Sequence, residues 1–88
     1  MNGSLNPGEY AVAQYAGLML RIEQREGHRR IRVYDSKSSR PNRSVWEGES
    51  YDIEEAIDMA VQAARGYLAD PEIPTLIWRK VAAYSNAN

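Results

Sequence analysis

Two neighbouring segments of the chain alternate between apolar and polar residues with the period of a β-strand. Leu18–Arg25 and His28–Asp35 each place their apolar side chains on one side. These apolar positions are Leu18, Leu20, Ile22, Ile31 and Val33. Glu26 and Gly27 lie between the segments and form a turn signal, because glycine readily takes the positive φ of a tight hairpin. The pattern predicts an antiparallel hairpin with a two-residue loop.

The predicted loop also fixes the register of the hairpin. Ile22 faces Ile31 and Leu20 faces Val33, so the apolar sides of the two strands coincide. A slip of one residue would mix the two faces, which makes this register well specified. The first strand reaches further towards the N-terminus if Tyr10, Val12 and Ala16, which continue the parity of Leu18, point to the same side of the strand as Leu18.

A different interpretation of the same region is a helix over residues 8–26. Pro7 would lie near its start and Gly27 just after its end, both typical helix boundaries. Gly17 would lie inside that helix, and Ile31 and Val33 would lose their paired partners. These two features favour the hairpin.

The second half of the chain predicts one clear helix. Residues 51–69 carry an apolar stripe at helical spacing, and Asp52 with Glu55 fits a capping box. Val45 and Trp46 predict a short third strand that ends at Gly48, and residues 74–84 predict a short second helix.

The predicted fold class is α+β: a small antiparallel sheet of about three strands packed on one main α-helix, plus a short C-terminal helix. Residues 1–8 are expected to be a disordered leader, and residues 9–88 a single domain.

Composition narrows the class of protein. The 88 residues include no Cys, which excludes disulfides, thiolate metal ligands and a Cys nucleophile. Small secreted domains usually carry disulfides, so we expect a cytoplasmic location. The sequence shows neither a signal peptide over residues 1–6 nor an apolar run long enough to cross a bilayer, and we expect no membrane association.

Residues that commonly perform catalysis are few and scattered. His28 is the one histidine and lies at the hairpin turn, without an orienting partner in the sequence. Glu54, Glu55 and Asp58 are most simply the solvated face of a helix, with acids near its N-terminus. Phosphate-binding glycine loops and zinc spacings are absent. We expect a non-enzymatic protein without cofactor or metal.

Charge is unevenly distributed along the chain, although the net charge is only −1. Residues 21–43 carry eight cations and three acids, whereas residues 44–72 carry one cation and eight acids. The basic segment supplies the candidate nucleic-acid-binding residues Arg21, Arg25, Arg30, Arg32, Lys37, Arg40 and Arg43. Strands with such a face can lie in a DNA major groove, where guanidinium groups reach phosphates and guanine edges.

The simpler interpretation of this basic face is an ordinary solvated strand surface. Arg21 opposite Arg32 argues against it, because facing like charges destabilise a sheet and call for an anionic neighbour. That neighbour is either a partner or an acid of this chain. The alternative function is a protein-interaction or regulatory module without nucleic-acid contact, antitoxin-like or homodimerising through a sheet edge or the Trp78 region. Trp46 is expected to be a core residue.

Residues 48–56 (GESYDIEEA) are similar to the Gly-x-Thr-x-x-Glu-Ala segment that opens the helix of HicB-like antitoxins, although the Pro-rich segment preceding that helix is absent. The order of basic hairpin, third strand and helix also resembles the AP2-like, arm-type DNA-binding domain of phage integrases. The first resemblance implies an antitoxin role, and the second implies DNA binding through the hairpin.

Overall fold

A computed structural model describes residues 8–37, 43–70 and 72–82. Its elements follow in the order β1 (Glu9–Tyr15), β2 (Leu18–Arg25), β3 (His28–Asp35), β4 (Ser44–Ser50), α1 (Ile53–Leu68) and β5 (Arg79–Ala82). The strands form one antiparallel sheet in the order β4-β3-β2-β1-β5. The α+β class and the packing of a sheet on one main helix agree with the prediction. The number of strands does not: the sheet has five, not about three.

The β2–β3 hairpin has the predicted register. Ile22 pairs with Ile31, Leu20 with Val33, and Arg21 with Arg32. Gly27 takes a φ of 81° in the two-residue loop, a value that glycine adopts at little cost. The alternative helix over residues 8–26 is therefore wrong, because the same residues form β1, β2 and the turn between them.

A second tight turn at Ala16 and Gly17 separates β1 from β2. Both residues have positive φ, 52° and 84°, as a two-residue type I′ hairpin requires. The expectation that Tyr10 and Val12 continue the parity of Leu18 is wrong, because the turn reverses the chain. The turn was hard to foresee because alanine seldom adopts this left-handed conformation.

The predicted C-terminal helix over residues 74–84 is also wrong within the described residues. Arg79–Ala82 form β5, which pairs with Glu9–Val12 of β1. Pairing along the edge of β1 satisfies backbone groups that would otherwise lie open to solvent. Tyr84, which the predicted helix included, lies outside the described residues, as do residues 1–7 of the predicted leader.

Helix α1 begins where its capping box predicts. The Asp52 carboxylate accepts a hydrogen bond from the Glu55 backbone N–H, and Ala69 ends the helix in a left-handed conformation with φ 55°. Three alanines, Ala56, Ala60 and Ala64, are fully buried against the sheet. Their small side chains let the helix approach the sheet closely, over the apolar side of β2, β3 and β4.

Strand β4 is longer than the two residues predicted for it and continues through Gly48. Its register with β3 shifts beside Val33 and Tyr34, which indicates a β-bulge. Trp46 packs against the core, as expected, and its ring lies over Gly48. A Cβ at Gly48 would lie 2.5 Å from Trp46 Cη2, so the indole ring would have to shift to admit any other residue.

Candidate functional site

One face of the sheet is left uncovered by the described residues. Helix α1 packs on the side of Leu20 and Ile31, and strand alternation sends the other half of the side chains to the opposite side. We call this opposite side the open face. From the pairing of the strands, its charged residues in the described chain are Arg21, Arg25, Arg30, Arg32, Arg79, Glu23, Glu47 and Glu49. Five arginines against three glutamates leave the open face with a net charge of +2.

Glu23 lies at the centre of the open face and is only 7% exposed. Its Oε2 is 2.8 Å from Arg21 Nε, and its Oε1 accepts a hydrogen bond of 2.8 Å from Arg25 Nη2. The Arg21 Nε–H is not aligned for a hydrogen bond, so that contact is an ion pair. The Arg21 guanidinium lies 4.0 Å from the centre of the Tyr10 ring, a cation–π distance. One carboxylate therefore positions two guanidinium groups.

Glu47 has the same role on the β4 side. It accepts hydrogen bonds from Ser44 Oγ at 2.5 Å and from Arg30 Nη2 at 3.1 Å. These two bonds, the Ser44 bond first, lower the pKa of Glu47 and keep it ionised. A second carboxylate thus holds a third arginine of the open face.

Arg32 lies between the two carboxylates. Its Nη1 donates a hydrogen bond of 3.1 Å to Tyr34 Oη, which raises the pKa of Arg32, and attraction to Glu23 and Glu47 raises it further. Arg32 faces Arg21 across the strands as predicted. The anionic neighbours that this like-charged pair requires are supplied by the chain's own glutamates.

The structure brings Arg21, Arg25, Arg30 and Arg32 together, and these four form the centre of the candidate site. Arg43 lines a shallow cleft of about 270 Å³ with Arg32, Tyr34, Ser44 and Glu47. Lys37 lies in the turn after β3, where its side chain runs past Gly17 and its backbone N–H bonds Asp35. Arg40 lies outside the described residues.

Tyr10, Glu47 and Arg79 also lie on the open face and were not among the sequence candidates. Tyr10 and Arg79 were missed because β1 was not separated from β2 and β5 was taken for a helix. Glu47 was missed because its contact with Arg30 depends on β4 running beside β3. A turn assignment at Ala16 and Gly17 would have revealed Tyr10, since it moves Tyr10 to the side of Arg21.

The opposite side of the molecule carries the opposite charge. Within the described part of residues 51–78, six acids stand against Arg65 alone: Asp52, Glu54, Glu55, Asp58, Asp70 and Glu72. The molecule therefore has a positive sheet face and a negative helix layer. Such polarity orients a protein towards an anionic ligand during approach.

Other kinds of site find little support in the described residues. His28 Nε2 lies 3.9 Å from Glu49 Oε2 at the edge of the sheet. Across residues 8–37, 43–70 and 72–82, acids and histidine nowhere form a group of three that could hold a metal ion. Helix α1, the helix found in these described residues, is too short and too polar to cross a membrane.

Comparison with known proteins adds no relative. No family model matches the chain, and neither the curated proteins nor the solved structures contain a match.

Proposed function

We propose that this chain is a non-enzymatic binding domain that holds a nucleic acid on its open face. Four clustered arginines share only two carboxylates, Glu23 and Glu47, and this observation supports the proposal. The central cluster thus carries an excess of two positive charges. The resemblance to arm-type DNA-binding domains, which rests on the same hairpin, points in this direction.

The internal ion pairs leave donors for a ligand. A guanidinium group has five N–H donors, and the contacts of Arg25 and Arg30 with glutamate each use one nitrogen. Both side chains remain partly exposed, at 49% and 36%. The glutamates therefore position the arginines without exhausting them, and phosphate oxygens can accept from the remaining N–H groups.

The shape of the sheet favours a single strand as the ligand. The β2–β3 hairpin lies in the middle of five strands, and strands about 4.8 Å apart give a face about 19 Å wide. A major groove is about 12 Å wide and admits a two-stranded ribbon, not a sheet of this width. Sheet surfaces with aromatic residues bind single-stranded RNA by stacking. Tyr34 lies on this face, as does Tyr10, whose ring is already covered on one side by the Arg21 guanidinium.

A binding assay tests the proposal directly. Fluorescence anisotropy with labelled 20-nucleotide single strands and duplexes should show tighter binding to the single strand. If three to four phosphates are contacted, the affinity for the single strand should fall about 20- to 50-fold between 50 and 200 mM salt.

The Arg30→Ala/Arg32→Ala variant should weaken binding strongly. Arg65→Ala/Lys80→Ala removes the same charge away from the open face and is the matched control. Salt-insensitive binding, or equal loss in both variants, would refute the proposal.

We also propose a second function, a protein-interaction or regulatory module that self-associates. It is favoured by Ile77, which is 85% exposed beside Ala13 and Gln14. At these two residues the edge of β1 away from β2 has no neighbouring strand, because β5 begins only at Arg79, opposite Val12. An exposed apolar residue beside an unpaired strand edge is typical of a self-association surface. Light scattering over a wide concentration range tests this function. A dimer that Ile77→Ser dissociates supports it, and a single-chain mass throughout removes it.

A further inference from the structure

The segment that follows α1 forms a groove against the helix. After the helix, residues 73–78 have no regular secondary structure, and five of these six residues line a groove beside the helix; we call this segment the strap. Helix and strap enclose an open groove of about 430 Å³, within the size range of ligand sites. Its apolar lining consists of Ile57, Val61, Ile73, Leu76 and Trp78. The groove lies on the helix side of the sheet, away from the open face.

Charged groups of opposite sign mark the two ends of the groove. Glu54 and Asp58, both exposed, lie towards the N-terminal end of α1. Arg65 lies towards the C-terminal end, and its Nε is buried without a hydrogen-bond partner among the described residues. A buried donor without a partner costs free energy, so an anionic group at this end would relieve that cost.

The backbone of the strap is also without partners inside the described chain. No backbone-to-backbone hydrogen bond joins the strap to any part of residues 8–37, 43–70 or 72–82. A peptide in an extended conformation can form main-chain hydrogen bonds with such unpaired groups, whereas the backbone groups of a helix are already bonded within the helix. An extended occupant therefore fits this groove better than a helix.

We infer that the groove binds an extended peptide segment of a partner protein. This peptide carries a basic residue on one side of an apolar anchor and an acidic residue on the other side. The span follows from helix geometry. Asp58 and Glu54 lie 7 and 11 residues before Arg65, or about 10 and 16 Å along the helix at 1.5 Å per residue. Two side chains on one face of a strand, four residues apart, are separated by about 13 Å. The recognised pattern is thus basic-x-apolar-x-acidic, and the inference depends on neither function proposed above.

Calorimetry with synthetic peptides tests this inference. The probe is a capped ten-residue peptide with Lys and Glu four positions apart and Leu between them. Control peptides replace Leu by Ser, or both charged residues by Gln. The probe should bind and both controls should bind less well, the uncharged one about three- to tenfold, as expected for two exposed ion pairs.

Charge reversal in the protein completes the test. Asp58→Lys and Arg65→Glu should each weaken the probe by about two- to fivefold, the effect of one exposed ion pair. A peptide with two acidic residues should recover affinity for Asp58→Lys. Glu49→Lys on the open face is the matched control and should leave the affinity unchanged. Equal affinity of all three peptides, no binding up to millimolar concentration, or insensitivity to both reversals would overturn the inference, whatever the nucleic-acid assay shows.

Discussion

Replacing Gly48 by alanine should destabilise the protein, against the usual effect of this substitution. The added Cβ would lie 2.5 Å from Trp46 Cη2 and 3.1 Å from Cζ2 and Cζ3. Carbon atoms pack best at about 3.5–4.0 Å, so the ring must move by about 1 Å. Trp46 packs against the core, and overpacking of this kind costs about 1–3 kcal/mol. The alanine gains back about 0.4–1 kcal/mol by restricting the unfolded chain.

The expected net loss is about 1 kcal/mol and at most about 2.6 kcal/mol, or a fall in Tm of several degrees for a domain of this size. Gly66→Ala, in the last turn of α1, is the matched control, because a Cβ there meets no atom within 4 Å. That substitution should stabilise by about 0.5–1 kcal/mol. Urea unfolding followed by circular dichroism measures both changes.

A double-mutant cycle identifies the cause of the loss. In a Trp46→Leu background the clash is absent, so Gly48→Ala should become neutral or slightly stabilising. Two outcomes would exclude the clash with Trp46 as the cause. One is a Gly48→Ala variant as stable as the wild type, and the other is an equal loss with and without the indole ring.

Three further predictions concern stability. Glu23→Gln removes the carboxylate that neutralises two open-face arginines and should cost about 1–3 kcal/mol, whereas Glu49→Gln, exposed on the same face, should leave the urea midpoint unchanged. Asp52→Ala removes the helix cap and should cost about 0.5–2 kcal/mol; helicity and Tm equal to wild type would contradict it. The hydrogen bond from the Tyr67 hydroxyl is the main cause that lowers the pKa of Asp35. The ionised carboxylate therefore stabilises the fold at a pH above the ordinary pKa of Asp, and this stabilisation is lost as the pH falls through the pKa that Asp35 has in the folded protein. Tyr67→Phe should therefore be less stable than wild type at pH 7, with the difference shrinking near pH 2; a difference independent of pH would argue against this account.

Local pattern was sufficient for the elements whose partners are close in sequence. The β2–β3 hairpin needs only alternation and one glycine turn, and α1 needs only its stripe and its Asp52 cap. The hairpin has the predicted register, and the helix has the predicted Asp52 cap but is shorter than the predicted residues 51–69. The open-face position of four arginines followed from that register.

Elements that depend on distant partners were missed. β5 is four residues long, and the pairing that forms it joins Arg79 to Val12, 67 positions earlier in the chain. The turn at Ala16 carries no common turn residue before its glycine, so β1 merged with β2 in the sequence pattern. The ion pair between Arg30 and Glu47 also depends on tertiary pairing, which no local pattern records.

Chemical-shift mapping locates the surface that a nucleic acid contacts, which we propose is the open face. A ¹⁵N-labelled sample is titrated with a 12-nucleotide single strand at low salt, and the shifted backbone amides are placed on the structure. If the nucleic acid lies on the open face, the largest shifts occur in β2 and β3 around Arg21 and Arg32, and α1 is unaffected. Shifts confined to α1 and the strap, or none at millimolar strand, would contradict it.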